Sequence, residues 1–346
     1  MNENAHRGIF LEQNKEPLLS KGIKQLDRLP VHEELFRDGG VLTAALSVKD
    51  LVVLAHDAHI IDESDGTPLW KKLAHAARNE SHALIVDALD DEPYISSQLC
   101  IALWMGEELE KVITLIKNLF GMTYVAVEIY KNLSDVEIKI PAQIGAYRVR
   151  RVGGMYPAEK RTRRGEENVL KIGACALIHF YRAIEQGRKQ TTAFVSVAGD
   201  SIANPANYEL PLGCTVQQVI DAVGTISEPK RLVIGGSMTG VGVEEPERMF
   251  VRSETRGILA FAEKFQELGF SCIGCGRCVD ACPQGISPYF IYKMVRAHRS
   301  ASAARDAADC TCCGSCSYVC PAKLDLSHII FDCASRAKVQ PRRVRI

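Results

Sequence analysis

The sequence predicts an α/β chain that closes with a small helical, cysteine-rich domain. Three observations carry that reading. Through residues 41–188 short apolar strands alternate with amphipathic helical stretches, the pattern of a Rossmann-like parallel sheet. Within residues 189–250 a strand, a turn, a second strand, a helix and a third strand follow one another, the order of a small β-grasp module. Eight of the thirteen cysteines then crowd into two near-identical runs within residues 251–346. Residues 1–40 are polar and weakly patterned and read as an N-terminal arm, with one short helix at Lys21–Leu29. The predicted class is α/β plus α+β, with an α-helical C-terminal domain.

Taken in order, Asp50–His56 and the amphipathic Leu69–Arg78 read as helices, and Ala83–Asp87 (ALIVD) as a short buried strand. Ser96–Leu119 carries apolar residues at helical spacing, and Thr123–Ile129 and Tyr147–Val152 read as strands. Asn168–Gln186 reads as a helix closed by Gly187, because glycine tolerates the left-handed residue that ends a helix. Thr191–Gly199 and Tyr208–Leu212 pair across the turn marked by Asn204, Pro205 and Asn207. Thr215 is placed to cap the helix Val216–Val223, and Leu232–Ile234 is a strand before Gly235 and Gly236. Glu254–Glu267 reads as a helix leading into the cysteine-rich domain. There Pro288–His298, Ala301–Ala308 and the stretch after Leu326 read as further helices.

Composition excludes several classes of function. At 346 residues the chain has room for two or three domains, and 47% hydrophobic with 24% charged residues is ordinary for a globular protein. Forty-two Lys and Arg balance forty-two Asp and Glu, so no electrostatic case exists for nucleic acid or an anionic membrane. The local basic stretches, Arg161 to Arg164 and Arg342, Arg343 and Arg345, read as solvated or partner-facing. No run approaches the roughly 18 apolar residues of a membrane-crossing helix. The opening MNENAHRGIF has no basic start followed by an apolar core, as an export signal would. A cytoplasmic, reducing and anaerobic setting is therefore expected.

Cys272, Cys275, Cys278 and Cys282 precede Pro283; Cys310, Cys313, Cys316 and Cys320 precede Pro321. Both runs read C-x2-C-x2-C-x3-C-P, the bacterial ferredoxin spacing for paired [4Fe-4S] clusters. Zinc sites instead use two separated C-x2-C knuckles around one tetrahedron, and a disulfide framework has no need of this repeat. In that spacing the first three cysteines of a run hold one cluster and the fourth holds the other. Cys272, Cys275, Cys278 and Cys320 are thus assigned to cluster 1, and Cys310, Cys313, Cys316 and Cys282 to cluster 2. Gly274, Gly276 and Gly314 stand where backbone must pass close to inorganic sulfide. Cys312 is an extra thiol inside the second run, a buried bystander or an alternate ligand. Tyr289 and Tyr292 are placed to shield the first cluster, and Cys100, Cys175, Cys214 and Cys333 are isolated small buried thiols. No Walker loop, G-x-S-x-G or H-E-x-x-H is present, so hydrolase readings lack support.

Several stretches together resemble one family. ALIVDALDDEPYIS (83–96), MYPAEKR (155–161), VAGDSIANPANYELPLGCTVQQVIDAVG (197–224), VIGGSMTG (233–240) and the two cysteine runs look like the RnfC subunit of the Rnf electron-transport complex. The cobalamin reductase PduS and, more distantly, the flavin subunit of respiratory complex I share that core. The resemblance covers about residues 45–335. It implies an α/β domain that holds FMN and takes hydride from NADH, then a β-grasp (SLBB) module, then paired clusters feeding a partner. It departs in two places. The family's opening barrel-sandwich domain has no counterpart before the α/β domain. The family's glycine-rich FMN loop is replaced by His59-Ile60-Ile61-Asp62-Glu63-Ser64-Asp65-Gly66-Thr67-Pro68, where only Gly66, Thr67 and Pro68 are reminiscent.

Glycine loops hold phosphate because bare backbone N–H groups can surround it. Asp62, Glu63 and Asp65 would instead repel a dianion, and such a loop is expected to face solvent or to hold Mg²⁺. Asp87, Asp90, Asp91 and Glu92 match the family's acidic turn, and the resemblance makes Gly66, Thr67, Asp87, Asp91 and Glu92 the residues of a degenerate FMN site. His56, His59 and His82 read as surface or packed histidines. Three functions then compete. One is an electron relay through two clusters, part of a hetero-oligomer with donor and acceptor subunits and peripheral to a membrane complex or microcompartment. The second is an FMN-containing NAD(P)H-dependent reductase. The third is a docking module with structural clusters.

Overall fold

The computed structural model of the chain describes residues 46–131, 140–154, 156–158, 168–263 and 271–339. The N-terminal arm with its Lys21–Leu29 helix, the Arg161 to Arg164 stretch and the basic end at Arg342, Arg343 and Arg345 lie outside these residues. The described chain forms two compact units. The first holds two five-stranded sheets and a two-stranded ribbon; the second holds the C-terminal helices together with Tyr156 and Ser237–Thr239.

The first sheet begins after α1 (Val48–Asp57), whose Ser47 and Asp50 cap each other's backbone N–H reciprocally. A two-stranded ribbon, β1 (Ile61–Asp62) with β2 (Thr67–Pro68), carries the loop that departs from the family pattern. Helix α2 (Leu69–Arg78) buries Leu69, Leu73 and Ala76, the 3.6-residue stripe legible in the sequence. Strand β3 (Ala83–Ala88) is buried at every position, as a central parallel strand must be. The helical stretch after Ser96 breaks at Met105 into α3 (Ser97–Trp104) and α4 (Gly106–Phe120). Gly106 sits at the break, where a Cβ would come within 3.3 Å of Ile144 Cγ2. Strands β4 (Tyr124–Tyr130), β5 (Gln143–Ile144), β6 (Tyr147–Val152) and β7 (Val169–Gly173) complete the sheet in the order β5-β6-β4-β3-β7. All neighbours run parallel except the edge pair β5–β6.

One expected helix here starts differently. Residues Val169–Gly173 form β7, paired with β3, and the helix α5 (Ala174–Gln186) begins only afterwards. The apolar spacing of VLKIG suits both periods over so short a run, and pairing with an already buried strand decides it. Gly187 closes α5 in the left-handed conformation, φ 61°, as its position predicted.

The second sheet is β8 (Thr192–Ala198), β9 (Ala206–Pro211), β10 (Arg231–Ile234), β11 (Val241–Val243) and β12 (Gly257–Phe261), in the order β11-β10-β12-β8-β9. Helix α6 (Val216–Val223) carries the predicted Thr215 cap, reinforced by Gln218. Residues 257–261 overturn the expected helix at Glu254–Glu267. They form a strand buried at all five positions, held between β10 and β8. A continuous apolar run, GILAF, has no helical face and no alternation, so only the tertiary environment resolves it.

The second unit is built of α7 (Arg277–Asp280), α8 (Pro288–Arg296), α9 (Ser300–Asp306), α10 (Ser315–Tyr318) and α11 (Leu326–Val339). Its core mixes aliphatic residues, among them Ile291, Leu326 and Ile330, with Cys278, Cys316, Cys320 and Cys333. No described helix is long and apolar enough to cross a membrane.

Candidate metal centre

The duplicated cysteine run folds as a duplicated structure. Gly276 (φ 78°, ψ −12°) opens α7, and Gly314 (φ 79°, ψ −13°) opens α10 in the same left-handed geometry. The four-residue helices that follow carry Cys278 and Cys316 inward. Both are helices too short to persist alone, so the turn glycines and the packing hold them.

Each run faces a cavity, and the runs exchange their last cysteine. Cys272, Cys275, Cys278 and Cys320 line one cavity, with Ile273, Tyr289, Pro321, Ala322 and Leu324 among its other walls. Cys310, Cys313, Cys316 and Cys282 line the second, with Gln284, Ile286, Cys312 and Ser327. The electrostatics repeat this grouping. Burial pushes the Cys278 thiol up, with Cys275 and Cys320 adding repulsion. Burial pushes Cys316 up to about 12, with Cys313, Cys310 and Cys282 adding to it. Loading metal must therefore displace protons from these sulfurs. Among the described residues, no three His, Cys, Asp or Glu side chains converge tightly enough to hold a single ion. The cysteines ring open space instead, and four thiols around each of two cavities fit a pair of cubane clusters.

The two runs differ in what packs against their turns. Cys275 is exposed, and a Cβ on Gly276 would meet nothing within 4 Å. The corresponding turn of the second run is covered: Tyr156 Oη donates to the Cys313 carbonyl at 2.9 Å. A Cβ on Gly314 would lie 2.3 Å from the Met238 carbonyl oxygen. Cys312 occupies the place that Gly274 holds in the first run, both with positive φ (54° and 71°). It borders the second cavity, and its N–H lies 3.4 Å from Cys310 Sγ. Tyr289 borders the first cavity, while Tyr292 packs against the aliphatic core.

The loop at residues 59–68 departs from expectation. Asp62 and Glu63 do not face solvent; both are buried, and only Asp65 is exposed. Asp62 Oδ2 accepts from Lys72 Nζ at 2.6 Å and from the Gly173 N–H at 2.9 Å, and Oδ1 accepts from Ser64. Burial works to raise its pKa, but Lys72 and these donors together hold it below the ordinary value. Gly173 caps α5, so the Asp62 carboxylate takes the helix N-terminus where an anion would sit. A Cβ on Gly173 would come within 2.6 Å of Asp62 Oδ1. Beside it, Glu63 Oε1 lies 3.4 Å from His179 Nε2, and burial raises the Glu63 pKa. Gly66 makes the turn at φ 71°, donating to the Asp62 carbonyl, and the Thr67 N–H is taken by Asp65.

The acidic turn after β3 is likewise engaged internally. Asp87 pairs with Lys171, and Asp90 lies 3.2 Å from the Arg256 guanidinium while accepting the Leu99 N–H. The Glu92 carboxylate fills the space that a Cβ on Gly236 would need. Burial opposes the Arg256 charge, yet Asp90, Glu92 and Asp87 together keep it protonated. Asp91 is half-buried. Lys72, Lys171, Gly173 and Arg256 are the residues that sequence reasoning missed. Lys72 follows the loop in LWKKL and was open to notice; nothing local marks Arg256, 166 residues from Asp90. A phosphate dianion does not fit here, because the chain's own carboxylates already occupy the donors. His56 is exposed beside Asp57 and Trp70, and His82 offers its backbone carbonyl to Thr123. Neither is placed among these carboxylates.

Two family descriptions match the chain: the 4Fe-4S dicluster domain over residues 271–324 and the SLBB domain over residues 194–242. The C-terminal region therefore belongs to a domain class that carries two [4Fe-4S] clusters. The C subunit of the ion-translocating oxidoreductase complex of Rhodobacter capsulatus is 30% identical over 66% of this chain and 48% of its own length. The C subunit of the proton-translocating ferredoxin:NAD(+) oxidoreductase complex of Clostridium ljungdahlii is 26% identical over 70% of this chain and 58% of its own. The chain thus spans about half the length of the curated relatives it matches. Among solved structures, an NAD+-reducing [NiFe]-hydrogenase chain superposes with TM-score 0.56 at 15% identity, covering 92% of this chain and 66% of that one. At that identity the likeness is one of fold alone: a mixed α/β chain followed by helices. The SLBB and dicluster domains, together with the alignment to these two relatives over about two thirds of its residues, make this chain similar to the RnfC subunits.

Proposed function

We propose that the chain is an iron–sulfur electron-transfer subunit that relays single electrons between a donor and a partner redox subunit. The observation that carries this is the crossed arrangement of cysteines: three from one run and the last of the other around each of two cavities. Cys272, Cys275, Cys278 and Cys320 would hold cluster 1, and Cys310, Cys313, Cys316 and Cys282 cluster 2. The clusters, when bound, supply reversible one-electron chemistry. The residues supply thiolate ligands, glycine turns that let backbone approach sulfide, and aliphatic walls that exclude water. Residues 192–261 supply the SLBB module, of β-grasp type: a hairpin, β8–β9, a capped helix, and strands completing a mixed sheet. That reading moves the boundary of the cluster domain past β12. As in the complexes named for its relatives, the chain would act within a hetero-oligomer, peripheral to the membrane on the cytoplasmic side.

Anaerobic purification with iron and sulfide assay, followed by EPR of the dithionite-reduced protein, tests the proposal. About eight irons per chain and two interacting S = 1/2 signals are expected. Zinc in place of iron, or fewer than about four irons, would overturn it. The engaged carboxylates at Asp62 and Glu63 weigh against the flavin reductase, and flavin should be absent from the same preparation.

A further inference from the structure

The two cavities are related residue by residue, so their surroundings can be compared position by position. Cys272 and Cys310 begin runs offset by 38 residues. At that offset Tyr289 matches Ser327, Ala322 matches Gln284 and Leu324 matches Ile286, and each pair borders the corresponding cavity. The charges do not follow the repeat. Arg277, next to Cys278, matches the buried Ser315. Lys293 lies 4.7 Å over the Tyr289 ring and matches Phe331. Lys323, between the two wall residues Ala322 and Leu324, matches Gly285. The first cavity thus has three exposed cations around it where the second has none at the same places. The exposed acids nearest in sequence are Asp325, two residues from Lys323 and accepting the His328 N–H, and Asp280, three from Arg277.

Exposure follows the same division. Ile273 is 69% exposed and borders the first cavity beside the exposed Cys275. The second run's matching turn is occupied by Tyr156 and Met238. The charge also belongs to the region: residues 271–346 hold eleven Lys or Arg against five Asp or Glu, in a chain whose totals balance. An apolar centre rimmed by cations suits a brief encounter with an acidic partner. Steering by such a rim raises association rates and makes them depend on salt.

We propose that the edge of the first cavity is the port through which this chain exchanges electrons with a small, soluble, acidic one-electron carrier, seated on Ile273 and Cys275 and held by Arg277, Lys293 and Lys323. The proposal rests on the electron-transfer reading above. In each exchange the carrier loses one electron and cluster 1 gains it, with no bond made or broken; the reverse transfer uses the same seat. The second cavity, whose Cys313–Gly314 turn packs against Tyr156 and Met238, then serves transfer within the chain and its complex.

The test uses the full chain with both clusters loaded and an acidic plant-type [2Fe-2S] ferredoxin as probe. Anisotropy of the dye-labelled, oxidised ferredoxin reads binding, and stopped-flow reads the rate after its reduction. Binding should weaken at least about tenfold between about 20 mM and 300 mM salt, as expected for steering by several charges. Arg277→Glu/Lys293→Glu/Lys323→Glu should lose binding and rate by about tenfold or more at low salt, and differ little from the parent at high salt. Its iron content and its reduction by dithionite should not change. Arg305→Glu, preceding the second run, should bind like the parent. Loss in Arg305→Glu without loss in the triple variant would overturn the assignment of the port. Should the triple variant lose iron, Lys293→Gln and Lys323→Gln, which keep every cluster ligand, are read instead. Salt-independent binding by the parent would overturn the proposal outright. A chain without iron, or inert to dithionite, would fail the electron-transfer reading itself, and the assay shows that before any ferredoxin is added.

Discussion

The cluster domain and the loop at residues 59–68 meet the same problem, how to surround a large charged group, in opposite ways. Around the two cavities the chain withholds its own filling: glycines turn at Gly276 and Gly314, and eight cysteines line space rather than close it. At the loop the chain fills the anion position itself, with Asp62 on the Gly173 N–H and on Lys72. The difference separates a place open to a ligand from one closed to it: the first leaves side chains facing a cavity, and the second has its donors consumed by neighbouring side chains.

The sharpest break would come at Cys320. It belongs to the second run by sequence and to the first cavity by position. Cys320→Ala should cost one whole cluster, leaving about half the iron and the same EPR signal that survives in Cys272→Ala. If it matched Cys310→Ala instead, the crossed arrangement would fail. Next in size is Lys72→Met. It leaves the buried Asp62 without its cation, while the exposed Asp65 can turn to water. Stripping one partner from a buried pair costs about 3–5 kcal/mol. Thermal unfolding should show that loss with iron content unchanged; a small loss would mean the loop is hydrated and open, and the contrast with the cavities would vanish.

How much of this was legible depended on whether the chemistry is local. The cysteine spacing, the Thr215 cap and the Gly187 stop sit within a few residues of what they do, and the structure has the cap and the stop where the pattern placed them. The burial of Asp62 and Glu63 was not legible. A carboxylate run reads as solvated unless its cations are known, and those come from α2, from the start of α5 and, for Asp90, from Arg256 across the fold. Strands β7 and β12 escape the sequence for a related reason. Each is a five-residue, mostly apolar run whose period is undecided until a neighbouring strand pairs with it. The glycines of VIGGSMTG stand out as a motif, but nothing local says that Gly236 makes room for Glu92, nor that the Met238 carbonyl lies against Gly314.

A smaller effect sharpens the comparison inside the cluster domain. Gly276 and Gly314 share one conformation, so alanine at either carries a left-handed penalty of about 1–2 kcal/mol. Only at Gly314 would the methyl also meet backbone, the Met238 carbonyl. Gly314→Ala should therefore destabilise more than Gly276→Ala, by about 1–3 kcal/mol, the range for overpacking. It should also perturb the EPR signal assigned to cluster 2. Equal losses in the two variants would mean that the second run is no better covered than the first.

The smallest effect has a sign that tests the loop alone. Burial raises the Glu63 pKa, so the folded chain holds that proton more tightly than the unfolded one. Its contribution is complete below the unfolded value, about 4.3, and is lost as pH rises through the folded value. Asp62 runs the other way: its lowered pKa gives stability above its ordinary value, lost as pH falls. Glu63→Gln cannot ionise, so its melting temperature should gain on the parent as pH rises above about 5, while Asp62→Asn should lose ground on the parent as pH rises toward about 5 and keep a constant deficit above it. Opposite signs in neighbouring residues require one carboxylate held by a lysine and one for which burial outweighs the nearby His179. Differences from the parent that stay flat with pH in both variants would mean that both face water, and the loop would again be a candidate to receive a ligand.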